Sequence, residues 1–288
     1  ENKAFQRIMA DFASSSHNRD WIFTDEELRK IRSDIYQQTV TKYSQINAEY
    51  ILTDDEQLML INSWQSQIRK ICDHLNFENK VHLTAMTLFK RFYLYHSLCD
   101  FKPEVFICTA VCLAYKIEEV NLDFSIFAQI ANKLCKASEV TKAELPFISG
   151  IKFHLTVFHP YRSLIALMSH LRQNRDRLSN QSLSVTEIEK TAMGTIFKSM
   201  ASDAHFKYPP AMITLAAVHH ALSLHGEKLE TLFKDIMETS TEEIEEYNAI
   251  FSDIEQKSRP NPEKEKNLKK KFKKFTQKLE AKNTKKEA

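Results

Sequence analysis

The residues whose chemistry could matter most are few. Cys108 and Cys112 stand one helical turn apart, a spacing at which two thiolates can share a metal ion. They lie in an apolar run with no histidine or carboxylate pair beside them, which favours a packing role. His219 and His220 are neighbours, so on a helix they point to different sides and suit structural histidines better than a ligand pair. The chain has no G-x-S-x-G, H-E-x-x-H, C-x-x-C or Walker segment. The expectation is a protein with no catalytic residue, no metal site and no cofactor. One charge arrangement resists a bland account. The apolar run Cys112-Leu113-Ala114-Tyr115 ends in Lys116-Ile117-Glu118-Glu119. A lysine there can neutralise a helix C-terminus or snorkel from a buried helix. It can equally anchor a partner at the rim of a bundle, and residue types alone fit both.

Composition dictates what must position these groups. Among 288 residues there are three glycines, where about twenty would be usual. That excludes glycine-rich phosphate loops and turn-dense sandwiches and points to an all-α chain. No stretch approaches the roughly 18 apolar residues of a membrane span, and Glu1–Gln6 is not an apolar signal segment. The five cysteines are odd in number and sit mostly in apolar runs, as reduced, buried thiols of an intracellular protein would. The net charge of +2 conceals a basic end: residues 256–288 hold 13 basic and 4 acidic residues, against 27 and 34 elsewhere. An acidic body argues against a nucleic-acid groove across the fold and leaves the tail as the one possible electrostatic contact.

Along the chain, residues 1–20 are polar and read as poorly ordered up to Trp21-Ile22-Phe23. Thr24 with Glu27 opens a lone helix, and Thr53 with Glu56 opens the body. Ile61, Trp64, Ile68, Ile71 and Leu75 mark one helix face, and Val81, Ala85, Leu88, Phe92 and Tyr95 the next. Pro103 starts a third helix, apolar nearly all round and therefore central. Ile126, Phe127, Ile130 and Leu134 give a fourth core face, and Leu145, Ile148, Ile151 and Leu155 a fifth, with Pro146 either delaying or kinking that helix. The order then repeats. A shift of 107 residues puts Pro103, Ala110, Val111 and Ala114 on Pro210, Ala217, Val218 and Ala221, with Gly226 as a helix stop. Capping signals at Ser184 and Ser240 open later helices. The segments are 1–52 (polar segment and helix), 53–157 and 158–257 (two five-helix bundles), and 258–288 (a basic amphipathic helix). That last helix carries Leu268, Phe272, Phe275 and Leu279 as a narrow seam for the body or a partner, and truncation before Ser258 is expected to spare the fold.

Lys90-Arg91-Phe92-Tyr93-Leu94, Leu113-Ala114-Tyr115-Lys116-Ile117-Glu118-Glu119, Ile151-Lys152-Phe153-His154-Leu155 and His159-Pro160-Tyr161-Arg162 together resemble the cyclin family over most of residues 21–255. Lys-Arg-Phe-Tyr and His-Pro-Tyr-Arg look like the transcriptional branch, cyclins C and H, and the early Trp21-Ile22-Phe23-Thr24 and the lysine-rich end look more like H. The resemblance implies two tandem five-helix cyclin boxes with flanking N- and C-terminal helices. It also implies a regulatory, non-catalytic subunit that binds and activates a cyclin-dependent kinase, nuclear and part of a CDK-activating kinase within transcription factor IIH. A RING-containing assembly subunit would be a further partner. By the motif, the kinase contacts fall on Lys116 and Glu144, with Glu119 counted beside them. Lys90 stands where many cell-cycle cyclins have an aspartate, and no Met-Arg-Ala-Ile-Leu-type docking segment is present. Two alternatives remain: a cyclin C-like subunit of the Mediator kinase module, and a scaffold like transcription factor IIB that binds nucleic acid. The missing zinc ribbon and the acidic body weigh against the second.

Overall fold

The computed structural model describes residues 11–46, 48–233, 240–257 and 261–287. The helices among them are α1 (Ser16–Trp21), α2 (Asp25–Lys42), α3 (Asp54–His74), α4 (Asn79–Tyr95), α5 (Pro103–Ile117), α6 (Phe124–Ala131) and α7 (Ala137–Gly150). They continue as α8 (Pro160–Gln173), α9 (Val185–Ala201), α10 (Ala204–Lys207), α11 (Pro210–Ser223), α12 (Leu229–Phe233), α13 (Thr241–Lys257) and α14 (Pro262–Glu287). No strand occurs among the described residues, and no helix there is long and apolar enough to cross a membrane. The chain divides into two compact units. One comprises residues 23–155 together with 260–288, the other residues 156–259 together with 1–22.

In the first unit, Thr24 and Thr53 form reciprocal capping boxes with Glu27 and Glu56, which fixes where α2 and α3 begin. The central helix is α5, buried from Val105 to Tyr115 and packed on α3, α4 and α7. An apolar surface on every side leaves it no stable place but the middle. Its neighbour α4 is buried from Val81 to Leu94, including two cations. Each has a polar acceptor, the condition for burying a charge. Lys90 Nζ donates to Asn62 Oδ1 at 2.8 Å, and the Arg91 guanidinium donates to the His154 carbonyl at 3.1 Å. Burial lowers the Arg91 pKa to about 9. Helix α7 lies so close to α4 that a Cβ on Gly150 would stand 2.5 Å from the Phe92 ring.

The C-terminal helix belongs to this unit. Leu268, Phe272 and Phe275 are buried, Phe275 meets Tyr43 edge-on at 5.2 Å, and Lys271 pairs with Glu56 at 2.6 Å. Of the two seats left open for its apolar seam, the body or a partner, the helix takes the body. Fully burying an aromatic side chain stabilises by about 1.5–3 kcal/mol, and three apolar side chains are seated here.

The second unit repeats the plan around α11, which packs on α8, α9 and α13 and again starts behind a proline. Ser184 caps α9 through the Thr186 N–H, and Ser240 and Glu243 exchange the two bonds of a capping box ahead of α13. Gly226 takes the left-handed conformation (φ 71°) after α11, as a helix stop should. His219 and His220 both face α13, the first beside Tyr247 and the second stacked on Phe251 at 3.7 Å. Each ring meets a different aromatic residue of that helix, one turn apart, as two histidines packed for structure do. The polar N-terminal stretch also departs from expectation. Ser15 caps α1, Trp21 is fully buried, and His17 Nδ1 accepts the Phe158 N–H at 3.1 Å. Residues 1–10 of that segment lie outside the described residues.

Candidate functional site

Lys116, in the last turn of α5, and Glu144, in the third turn of α7, form an ion pair at 2.5 Å. Burial alone would lower the Lys116 pKa, but the hydrogen bond to Glu144 and the nearby negative groups outweigh it, and the net shift is upward. The lysine side chain is 47% exposed, so the pair sits at the surface and contributes at most about 1 kcal/mol to stability. Helix α7 runs from Ala137 through Pro146, so the proline neither delays its start nor displaces Glu144.

Below this pair α5 ends in a tight turn. The Val120 N–H returns to the Tyr115 carbonyl at 2.9 Å and the Glu119 N–H to Lys116 at 3.2 Å, which forces Glu119 to φ 55°. Glycine is the usual residue there, and a side chain costs roughly 1 kcal/mol. Glu119 is exposed, whereas Glu118 turns inward and accepts a bond from Thr84 at 2.6 Å. The end of α7 is built the same way. Phe153 and Lys152 return bonds to Ile148 and Ser149, both at 2.9 Å, and both residues are left-handed. The Lys152 ammonium lies 4.1 Å from the Tyr95 ring centre, while Phe153 is 64% exposed.

The fourth and fifth core faces expected from periodicity are corrected here. In α6 the buried residues are Phe127 and Ala131, and Phe124 and Ile126 face water. In α7 they are Val140, Ala143 and Phe147, while Leu145, beside Glu144, is 68% exposed. Of seven large hydrophobic residues exposed among the described ones, five (Phe124, Ile126, Leu134, Leu145 and Phe153) fall on α6, α7 and the turns that follow them. Ile126, Leu134 and Leu145 were expected in the core because they satisfied a helical repeat. Nothing about the arrangement is catalytic: it offers ammonium and carboxylate groups beside apolar side chains, the ingredients of a protein interface. Among the described residues no cluster of three or more His, Cys, Asp or Glu could hold a metal ion.

Comparison with known proteins gives a consistent result. Residues 31–156 match the Cyclin, N-terminal domain family and residues 159–280 the Cyclin C-terminal domain family. Cyclin-H1-1 of Arabidopsis thaliana is 24% identical over 245 residues, covering 76% of this chain and 72% of the relative. Cyclin-C1-1 of Oryza sativa is 23% identical over 208 residues, covering 69% and 76%. Among solved structures, a chain of the CAK complex of Chaetomium thermophilum bound to ATP-gamma-S superposes with a TM-score of 0.73 at 23% identity. That match covers 94% of this chain and 88% of the other.

Proposed function

The chain belongs to the cyclin family, and from that premise we propose that it is the regulatory subunit of a CDK-activating kinase associated with transcription factor IIH, acting in the nucleus. Its partner is a cyclin-dependent kinase catalytic subunit, which it holds through Lys116, Glu119 and Glu144 with Leu145 and Phe153 beside them. A RING-containing subunit completes the assembly. The observation that carries this reading is the half-exposed Lys116–Glu144 pair, set against the exposed side chain of Leu145.

The physical role is selection of a conformation. Kinase activity requires a strand lysine paired with the glutamate of the kinase's own C-helix and an aspartate holding magnesium. A rigid bundle that binds only the inward C-helix shifts the kinase toward that state. Moving the balance from 1:99 to 99:1 takes about 5.5 kcal/mol of differential affinity. An obligate interface of about 2,000 Å² or more supplies that. Lys116 and Glu144 hold each other in place beforehand, so little side-chain entropy is lost on docking. With two protons to spare on the ammonium and a free carboxylate oxygen, the pair can bind backbone carbonyl and N–H groups of the partner together.

The test is a charge exchange. Lys116→Glu with Glu144→Lys restores the internal ion pair with reversed polarity. The double variant is expected to melt like the parent yet fail to capture the kinase; undiminished capture would remove both residues from the interface. A second reading, a subunit of the Mediator kinase module, is favoured by the similarity to cyclin-C1-1. Copurification separates the two: Mediator subunits in place of transcription factor IIH would decide for the second.

A further inference from the structure

Helix α14 has two faces, and the fold uses one of them. Leu268, Phe272 and Phe275 are buried in the first bundle. At 3.6 residues per turn, Lys266, Lys270, Lys273 and Lys274 fall on the opposite side, and all four are exposed. Among the described residues none of these four ammonium groups has an ion-pair or hydrogen-bond partner. Their neighbours are engaged. Lys271 pairs with Glu56 at 2.6 Å, Lys269 lies 6.0 Å from the Trp64 ring centre, and Lys278 lies 4.5 Å from that of Tyr50. Glu265 accepts a bond from Ser63 at 2.9 Å, and no further acidic residue follows until Glu280. Lys266 to Lys274 is therefore an uncompensated row, about 12 Å long at a rise of about 1.5 Å per residue. Like charges three and four residues apart weaken a helix, so the buried seam holds this row in place and the row contributes nothing to its own stability.

We propose that this face binds the phosphodiester backbone of a nucleic-acid duplex, without regard to base sequence. Charge density favours that partner. A duplex carries about one negative charge per 1.7 Å of axis, so about seven phosphates stand along the length of the row. An extended acidic peptide offers at most one carboxylate per roughly 3.4 Å, about half that density, and has fewer condensed counterions to release. Residue type points the same way. A protein interface has an apolar centre and a single strand stacks its bases on aromatic rings, but both aromatic residues of α14 are in the buried seam. A helix that lies on a membrane inserts its apolar face, and here that face is already occupied by the bundle. What is left is charge alone, which positions a protein on phosphates and reads no bases. The proposal goes beyond the kinase reading and does not rest on it, because the row shares no residue with the Lys116–Glu144 pair.

The experiment titrates a short labelled DNA duplex with the full chain and follows fluorescence anisotropy at several salt concentrations. The expected dissociation constant at physiological salt is about 10⁻⁴–10⁻⁶ M, and log K should fall with log salt at a slope of about −3.6, roughly 0.9 for each of the four lysines. Lys270→Gln with Lys274→Gln should halve that slope and weaken binding about tenfold or more, at an unchanged melting temperature because both side chains are exposed. Lys266→Gln with Lys273→Gln should do the same. Lys30→Gln with Lys190→Gln removes the same charge from exposed sites on other helices and should leave binding as in the parent. An RNA duplex should bind as well as DNA, since nothing in the row reads the 2′-hydroxyl. The proposal is overturned if either paired variant of the row binds like the parent, or if polyglutamate or a single strand competes as well as the duplex. A parent slope shallower than about −2 would also overturn it, with no variant needed.

Discussion

Helices α3, α5 and α7 of the first bundle and α11 of the second close with the same two returning hydrogen bonds, yet they differ at the left-handed position. The second bundle places Gly226 there, and the first places Asn76, Glu119 and Lys152. Gly226 has open space where a side chain would go, so only its backbone is in use. Asparagine tolerates this conformation, and Lys152 recovers part of the cost by lying over Tyr95. Glu119 has neither excuse. Its side chain is exposed, so no packing offsets the strain of roughly 1 kcal/mol that it carries. Shared geometry with different residues thus separates turns whose residue suits or offsets the left-handed conformation from one whose side chain does neither.

The largest effect expected on the first bundle comes from Phe275→Ala, which empties the fully buried seat of α14 beside Tyr43. It should cost about 3–5 kcal/mol in urea unfolding, with hydrogen exchange accelerated in α3 and α14 but not in α11. Gly150→Ala comes next. Its new methyl meets Phe92, so overpacking should cost about 1–3 kcal/mol and loosen α7, read as faster exchange in α7 than in α6. In the second bundle, Gly226→Ala should cost about 1–2 kcal/mol and Gly226→Asn less. Glu119→Gly should act in the opposite direction, stabilising by up to about 1 kcal/mol while weakening kinase capture. The absence of that gain would break the contrast drawn above. The smallest effect is that of Lys116→Ala, within about 1 kcal/mol in unfolding because the ion pair is half-exposed.

Much of the architecture was legible in the sequence. Capping boxes at Thr24, Thr53 and Ser240 gave helix starts, and the two proline-led apolar helices identified the bundle centres. The site was legible only in part. The motif pointed to Lys116 and Glu144, and the fold brings them together, but nothing in the spacing said that they bind each other. Leu145 and Ile126 were read as core because a helical repeat records hydrophobicity, not which side meets a neighbour. An apolar side chain on the surface leaves the same periodic trace as one turned to the interior. The N-terminal segment was misread for a related reason: α1 is anchored by Trp21 and His17, two contacts too sparse to leave a periodic trace.

The partition of the chain has a consequence for how it matures. The first bundle is completed by α14, more than a hundred residues beyond its other helices, and the second includes the stretch ending at Ile22. Neither core can therefore close as a contiguous stretch emerging from the ribosome. The early bundle must wait, with the Tyr43 face uncovered, until α14 has been synthesised. Such a wait exposes apolar surface to other nascent chains, and it makes the emergence of α14, not of the earlier helices, the event that completes the first bundle.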